Sequence, residues 1–261
     1  MLTLYFSATG NSEYIAQNFS RRMDAKCLSI EEDADFASEI NASDTIAFCY
    51  PVYGSRVPRI MREFVARYMG DLQGKKIIIF ATQMLFSGDG ARVFADMFGD
   101  GSIEVIYAEH FKMPNNMGNL LIFPKPSDKA IKRCFKKADA KMAQICNDIK
   151  NGIVKKRGFA KFSQFIGNMQ GKAWQGDSRK IAPSEFSAEH KAKNSVKIHE
   201  GCTVCDVCVH CCPMKNLANE NGAIVQMGNC TLCYRCVNMC PNKAITSLVH
   251  IRPRWQYKVH D

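Results

Sequence analysis

Nine of the chain's 13 cysteines lie between Cys202 and Cys240, and their spacing limits what this stretch can become. Cys202, Cys205, Cys208 and Cys212 follow a Cys-x2-Cys-x2-Cys-x3-Cys pattern closed by Pro213. Cys230, Cys233, Cys236 and Cys240 repeat it, closed by Pro241, 28 residues later. Leu217 and Ile245, each four residues past the proline, repeat as well. The chain opens Met-Leu-Thr-Leu-Tyr-Phe-Ser, with no basic stretch and no long apolar run, so no export signal is expected. A dense cysteine cluster then reads as metal binding before disulfides. Two Cys-x2-Cys pairs can build a tetrahedral zinc site. Zinc would leave the third and fourth cysteines of each run, and both prolines, without a role.

A doubled run of this spacing ligates two [4Fe–4S] clusters, the fourth cysteine of each run reaching the other cluster. By that rule one cluster takes Cys202, Cys205, Cys208 and Cys240, and the other takes Cys230, Cys233, Cys236 and Cys212. Cys211 has neither the proline nor the register and reads as a spare. Residues 197–248 resemble a two-cluster bacterial ferredoxin, which implies a small α+β fold.

The first 150 residues carry a different signal. Leu2–Phe6, Lys26–Ile30, Thr45–Tyr50, Lys75–Thr82 and Ser102–Ala108 are short apolar runs bounded by turn residues. Helical spacing separates them, as in Val57, Ile60, Met61, Phe64 and Val65, and a last helix follows through Ile131, Ala138, Met142 and Ile145. Five strands alternating with helices predict an α/β fold: a doubly wound parallel sheet covered on both faces. Ligands of such sheets sit at the carboxyl ends of the strands.

Three loops fall at those ends. Ser7-Ala8-Thr9-Gly10-Asn11-Ser12 offers hydroxyls and backbone N–H groups at a helix start, a phosphate cradle without Lys or Arg. An ordinary helix cap is the plainer reading. It lacks the Gly-Lys-Ser/Thr of a nucleoside triphosphate loop. Pro51-Val52-Tyr53-Gly54 follows the third strand and brings an aromatic ring. Phe86-Ser87-Gly88-Asp89 follows the fourth and brings a second. Two aromatic walls beside a phosphate cradle point to FMN. Residues 1–151, through Tyr5–Ser12 and Pro51–Gly54, resemble flavodoxin. The resemblance implies the strand order 2-1-3-4-5.

The net charge of +10 is concentrated. Residues 111–200 hold 19 Lys and Arg against 7 Asp and Glu, and the rest is near neutral, which argues against a general nucleic-acid binder. Residues 152–196 read as a basic, partly helical connector. In it Phe159, Phe162, Ile166 and Met169 form a stripe expected to pack across the two domains. Gly167, Gly171 and Gly176 read as turns, and Pro183-Ser184 as a helix start. The tail, 249–261, gives no signal. No apolar run approaches the ~20 residues of a membrane helix.

The whole chain resembles the bacterial flavodoxin–ferredoxin fusion family. The resemblance implies FMN, two [4Fe–4S] clusters and electron transfer among them and external redox partners, acidic ones included. The alternatives are an FMN-dependent reductase of a small molecule fed by its own clusters, and a non-redox scaffold with structural metal. A cytoplasmic protein of a microbe living with little oxygen is expected.

Overall fold

Alternate residues of the N-terminal apolar runs face opposite ways, and both ways are covered. The computed structural model describes residues 1–85, 88–99 and 101–259. β1 (Leu2–Tyr5), α1 (Asn11–Met23), β2 (Lys26–Ser29), α2 (Phe36–Asn41), β3 (Thr45–Pro51), α3 (Arg59–Arg67), β4 (Lys76–Gln83), α4 (Arg92–Ala95), β5 (Glu104–Lys112) and α5 (Asp128–Lys150) follow in order. On one face Leu2, Leu4, Ile46, Phe48, Ile77 and Ile79 pack with Met61, Val65 and Phe94 of α3 and α4. On the other, Ala47, Cys49, Ile78 and Phe80 pack with Ile15 and Phe19 of α1 and Met142 and Ile145 of α5. The unbroken apolar run of β4 is what burial on both faces demands.

All strands of this sheet are parallel, in the order β2-β1-β3-β4-β5-β6. The sixth strand corrects the expected five. β6 (Lys155–Lys156) lies along Tyr107 and Ala108 of β5. The segment expected as a connector thus begins as the edge of the sheet. Two exposed lysines there discourage pairing with another chain, and Lys155 is tied to Asp148 of α5 at 2.6 Å.

α6 (Lys161–Trp174) corrects the expected packing stripe. Phe162 and Met169 are 69% and 64% exposed, and Phe165 beside them is 68% exposed. The buried face is Gly167 and Gly171, which are inside the helix and not turns. A Cβ on Gly167 would collide with the Asp89 carboxylate, and one on Gly171 with the Arg56 guanidinium. Glycines four apart give a flat face that polar side chains approach more closely than any apolar stripe allows. Phe159 does pack against the sheet core. α7 (Ala188–Lys191) starts later than Pro183-Ser184, capped by Ser187, whose Oγ accepts from His190 N at 3.2 Å.

The cysteine segment contains β7 (Lys197–Ile198), α8 (Val207–Cys211), β8 (Leu217–Glu220), β9 (Ala223–Gln226), α9 (Arg235–Met239) and β10 (Ile245–Thr246). β7 pairs antiparallel with β10 and β8 with β9. Leu217 and Ile245, the repeated apolar positions, meet in its small core with Ile224, Leu232 and Val237. The sequence repeat is also a backbone repeat. Positive φ falls at Val204 and Leu232, at Asp206 and Tyr234, and at Lys215 and Lys243, each pair 28 residues apart. Among the described residues no helix is long and apolar enough to cross a membrane.

Candidate cofactor sites

The turn from β1 into α1 passes through Gly10 at φ +97, and no side chain caps this helix. α2 and α5, by contrast, are capped by Asp35 and Ser127. The plain cap reading of the loop therefore fails. The N–H groups of Thr9, Asn11 and Ser12 have no partner among the described residues. The loop's carbonyls are taken instead. Arg235 donates to Ser7 O at 2.6 Å and to Ala8 O at 3.2 Å, and Val259 N donates to Thr9 O at 2.9 Å. Its hydroxyls hold the loop's shape: Ser7 Oγ accepts from Gly10 N at 3.1 Å, and Ser12 Oγ meets Thr82 Oγ1 at 2.7 Å. Asn11 Nδ2 donates to Pro114 O at 2.8 Å. Open amides, occupied carbonyls and the positive end of α1 together suit a phosphate.

The second loop is fixed to the same strand ends, because Val52 N donates to Thr82 O at 2.9 Å. Pro51 closes β3 in register with Thr82. Tyr53 makes a tight bridge with Arg56. Its phenol oxygen is buried without a partner, an orphaned polar group that suits a polar ring at this site. Gly54, at φ +53, lies under the Trp174 indole. In the third loop, Phe86 and Ser87 fall outside the described residues. Gly88 packs on the α6 backbone at Gly167. Asp89 is buried and faces α6; it pairs with Arg92, and its Oδ1 lies against Gly167 without a partner. Burial pushes its carboxyl above the ordinary range although Arg92 pulls the other way.

The eight cysteines of the repeat line two cavities. One is walled by Cys202, Cys205, Cys208 and Cys240 with Pro241 and Ile245. The other is walled by Cys212, Cys230, Cys233 and Cys236 with Pro213 and Leu217. Each cavity thus draws its fourth cysteine from the other run. Backbone N–H groups point at the sulfurs: Asn216 N to Cys212 Sγ at 3.2 Å, and Ala244 N to Cys240 Sγ at 3.3 Å, again 28 residues apart. Burial pushes the Cys208 thiol up to about 11 and Cys233 up to about 12. Iron binding must displace those protons. Four cysteines around each cavity are the donor set of a [4Fe–4S] cubane. Cys211 lines neither cavity; its Sγ donates to Cys208 O at 3.7 Å.

Residues 2–115 match the flavodoxin domain family, and residues 223–246 match the 4Fe-4S binding domain. The chain joins a flavodoxin domain to a 4Fe-4S domain. No curated protein matches it. Among solved structures, the two-electron reduced flavodoxin of Megasphaera elsdenii is 20% identical, covers 54% of this chain and 99% of its own, and has a TM-score of 0.38. A flavodoxin from the domain Archaea is 15% identical, covering 56% and 97%, with a TM-score of 0.35. A flavoprotein in complex with FMN from Lactobacillus acidophilus NCFM is 15% identical, covering 42% and 91%, with a TM-score of 0.34.

The two domains meet at the flavodoxin domain's loops. Cys233 of the 4Fe-4S domain is buried in the flavodoxin domain's apolar core. Tyr53 lies beside it, and burial holds its phenol well above the usual range. Asn116 reaches both sides, donating to Thr9 Oγ1 and to Cys233 O, each at 3.4 Å. Arg235 also pairs with Glu31 at 2.5 Å and donates to Cys211 O at 3.0 Å. The tail then crosses back. Tyr257 N donates to Asn238 Oδ1 at 2.7 Å, and its hydroxyl donates to Asn11 Oδ1 at 2.8 Å. Arg235, Trp174 and the tail carry this junction, and sequence reading missed all three. One signal was available for Arg235. It stands where the first cysteine run has Val207, an asymmetry within an otherwise close repeat.

Proposed function

We propose that this chain moves electrons between two [4Fe–4S] clusters and FMN, and between these and external redox partners. FMN supplies chemistry of one or two electrons, and each cluster of one. The open amides of Thr9, Asn11 and Ser12 hold the phosphate, and Tyr53 faces the ring. Cys202, Cys205, Cys208 and Cys240 hold one cluster; Cys212, Cys230, Cys233 and Cys236 hold the other. The observation that carries the reading is Cys233, a wall of the second cavity, buried beside Tyr53 in the flavodoxin domain's core. One chain then replaces a bimolecular encounter with a fixed neighbour.

Exposed Lys132, Arg133, Lys136 and Lys137 on α5, with Lys156, supply a positive field that steers an acidic redox protein. Lys155 and Arg157 contribute less, being paired with Asp148 and Glu109.

The test is anaerobic reconstitution with iron, sulfide and FMN analysis, then stepwise redox titration followed by absorbance and EPR. Eight irons, eight sulfides and one FMN per chain are expected. Zinc in place of iron, or no flavin, sinks the reading.

A further inference from the structure

We propose that the two cavities have different tasks: the Cys202/Cys205/Cys208/Cys240 cavity is the docking port for an external one-electron redox protein, and the Cys212/Cys230/Cys233/Cys236 cavity is the internal step to the flavin. This rests on the reading that clusters and FMN fill these sites.

The cysteine repeat makes the two cavities nearly equal in backbone, so the difference lies in what surrounds them. The first opens outward. Cys205 is exposed, and so are Thr203, Pro241 and Asn242 on its wall. Neither cavity's lining includes a residue of the flavodoxin domain. The second has no exposed residue in its lining, which includes buried Val196, Met214, Asn216, Thr231, Tyr234 and Ser247. It also meets the other domain. Cys233 sits in the flavodoxin core, and its carbonyl accepts from Asn116. Arg235, next to Cys236, grips the Ser7 and Ala8 carbonyls of the phosphate loop. Electron exchange falls steeply with distance. A partner reaches the first cavity through uncharged, exposed wall residues, whereas no exposed residue lines the second, and its Cys233 is buried against the flavodoxin domain.

The electron count fixes the stoichiometry. Each donor molecule is oxidised by one electron. Two such deliveries, with two protons from solvent, complete one two-electron reduction of FMN.

Three variants of the full chain test this, with a chemically reduced [2Fe–2S] ferredoxin as the probe. Iron and FMN contents are measured first. If the parent lacks either cofactor, the underlying reading fails, and that failure is separate from failure of the relay order. Cys205→Ala should hold roughly half the iron. In it, flavin and remaining cluster should still bleach together on photoreduction, while reduction by the probe slows at least tenfold. Cys233→Ala should still be bleached quickly by the probe at its remaining cluster, with the flavin absorbance left oxidised. Should either ligand variant fail to fold, Thr203→Glu combined with Asn242→Glu alters the port without touching a ligand. Parental iron and FMN content with a probe step slowed at least tenfold, and unchanged internal equilibration, supports the port. Unchanged probe rates in that double variant, or rapid flavin reduction in Cys233→Ala, overturns the proposal.

Discussion

Arg235 and Ser7 are 228 residues apart in sequence, and the Arg235 guanidinium donates to the Ser7 carbonyl at 2.6 Å. The same guanidinium pairs with Glu31 and lies over the Phe6 ring, 5.6 Å from its centroid. One side chain beside Cys236 therefore holds the carbonyl side of the Ser7–Ser12 loop. Arg235→Gln strands two loop carbonyls and Glu31, at a cost of ~1–3 kcal/mol. We expect a lower melting temperature and weaker FMN binding. Arg235→Lys should recover little, because an ammonium lacks the planar fork. FMN titrations of the three proteins check this; parental affinity in Arg235→Gln would refute it.

The proposed crossed ligation predicts an outcome that sequence position alone does not suggest. Cys212→Ser should damage the cluster of Cys230, Cys233 and Cys236, although it lies in the first run. Cys211→Ser should leave both intact, since Cys211 lines neither cavity. Iron content and the EPR spectra of the two variants decide it. The reverse pattern would shift the register by one residue.

The proposed phosphate role of the Ser7–Ser12 loop has a direct test as well. Thr9 is buried, and its Oγ1 accepts from Asn116. Thr9→Val keeps the shape but removes a hydroxyl from the loop and leaves the Asn116 amide short of an acceptor. FMN affinity should fall by ~1–3 kcal/mol, about five- to 150-fold. An unchanged dissociation constant would move the phosphate elsewhere.

What was legible in the sequence was local. Cysteine spacing is a local pattern, so the runs Cys202–Cys212 and Cys230–Cys240 are visible within eleven residues each. The β4 run declares itself because both its faces are apolar. What was hidden depends on distant partners. Lys155 and Lys156 have no apolar pattern and become a strand only because β5 offers an open edge. Gly167 and Gly171 look like turn residues until Asp89 and Arg56 are brought against them. Trp255 is buried because Gly118 leaves room for it, and Tyr257 because the tail crosses back to Asn11.

His110 supplies a pH dependence. Burial first, and then the charges of Arg157 and Lys141, push its imidazole down to about 4. The unfolded chain binds its proton near pH 6.5. Between those values the unfolded state holds more protons, so stability falls as pH falls, by about 1.4 kcal/mol per pH unit at most. The contribution is fully present above pH 6.5. His110→Phe also strands Ala91 N, which donates to Nε2 at 3.2 Å, so the variant should be less stable at neutral pH. Its melting temperature should nonetheless vary less between pH 7 and pH 5. A parental slope in the variant would assign the acid sensitivity to other groups.

The glycine face of α6 gives a test in which the sign decides. On a free helix face, Gly→Ala stabilises by ~1 kcal/mol, because alanine restricts the unfolded chain and glycine does not. Gly167 and Gly171 have helical backbone, so alanine meets no φ penalty at either position. What it meets is side chains: the Asp89 carboxylate at Gly167 and the Arg56 guanidinium at Gly171. Neither can step aside cheaply. Asp89 is buried and held by Arg92, and Arg56 is buried and donates to Gly167 O and Gly176 O, each at 3.4 Å. Overpacking of this kind costs ~1–3 kcal/mol. Gly167→Ala and Gly171→Ala should therefore lower the melting temperature, against the trend of helix propensity. Phe162→Gln, on the exposed face, should change stability by no more than ~0.5 kcal/mol. If the alanine variants melt higher than the parent while Phe162→Gln melts several degrees lower, α6 docks through its aromatic stripe after all, and the closure over the Tyr53 and Asp89 loops goes with it.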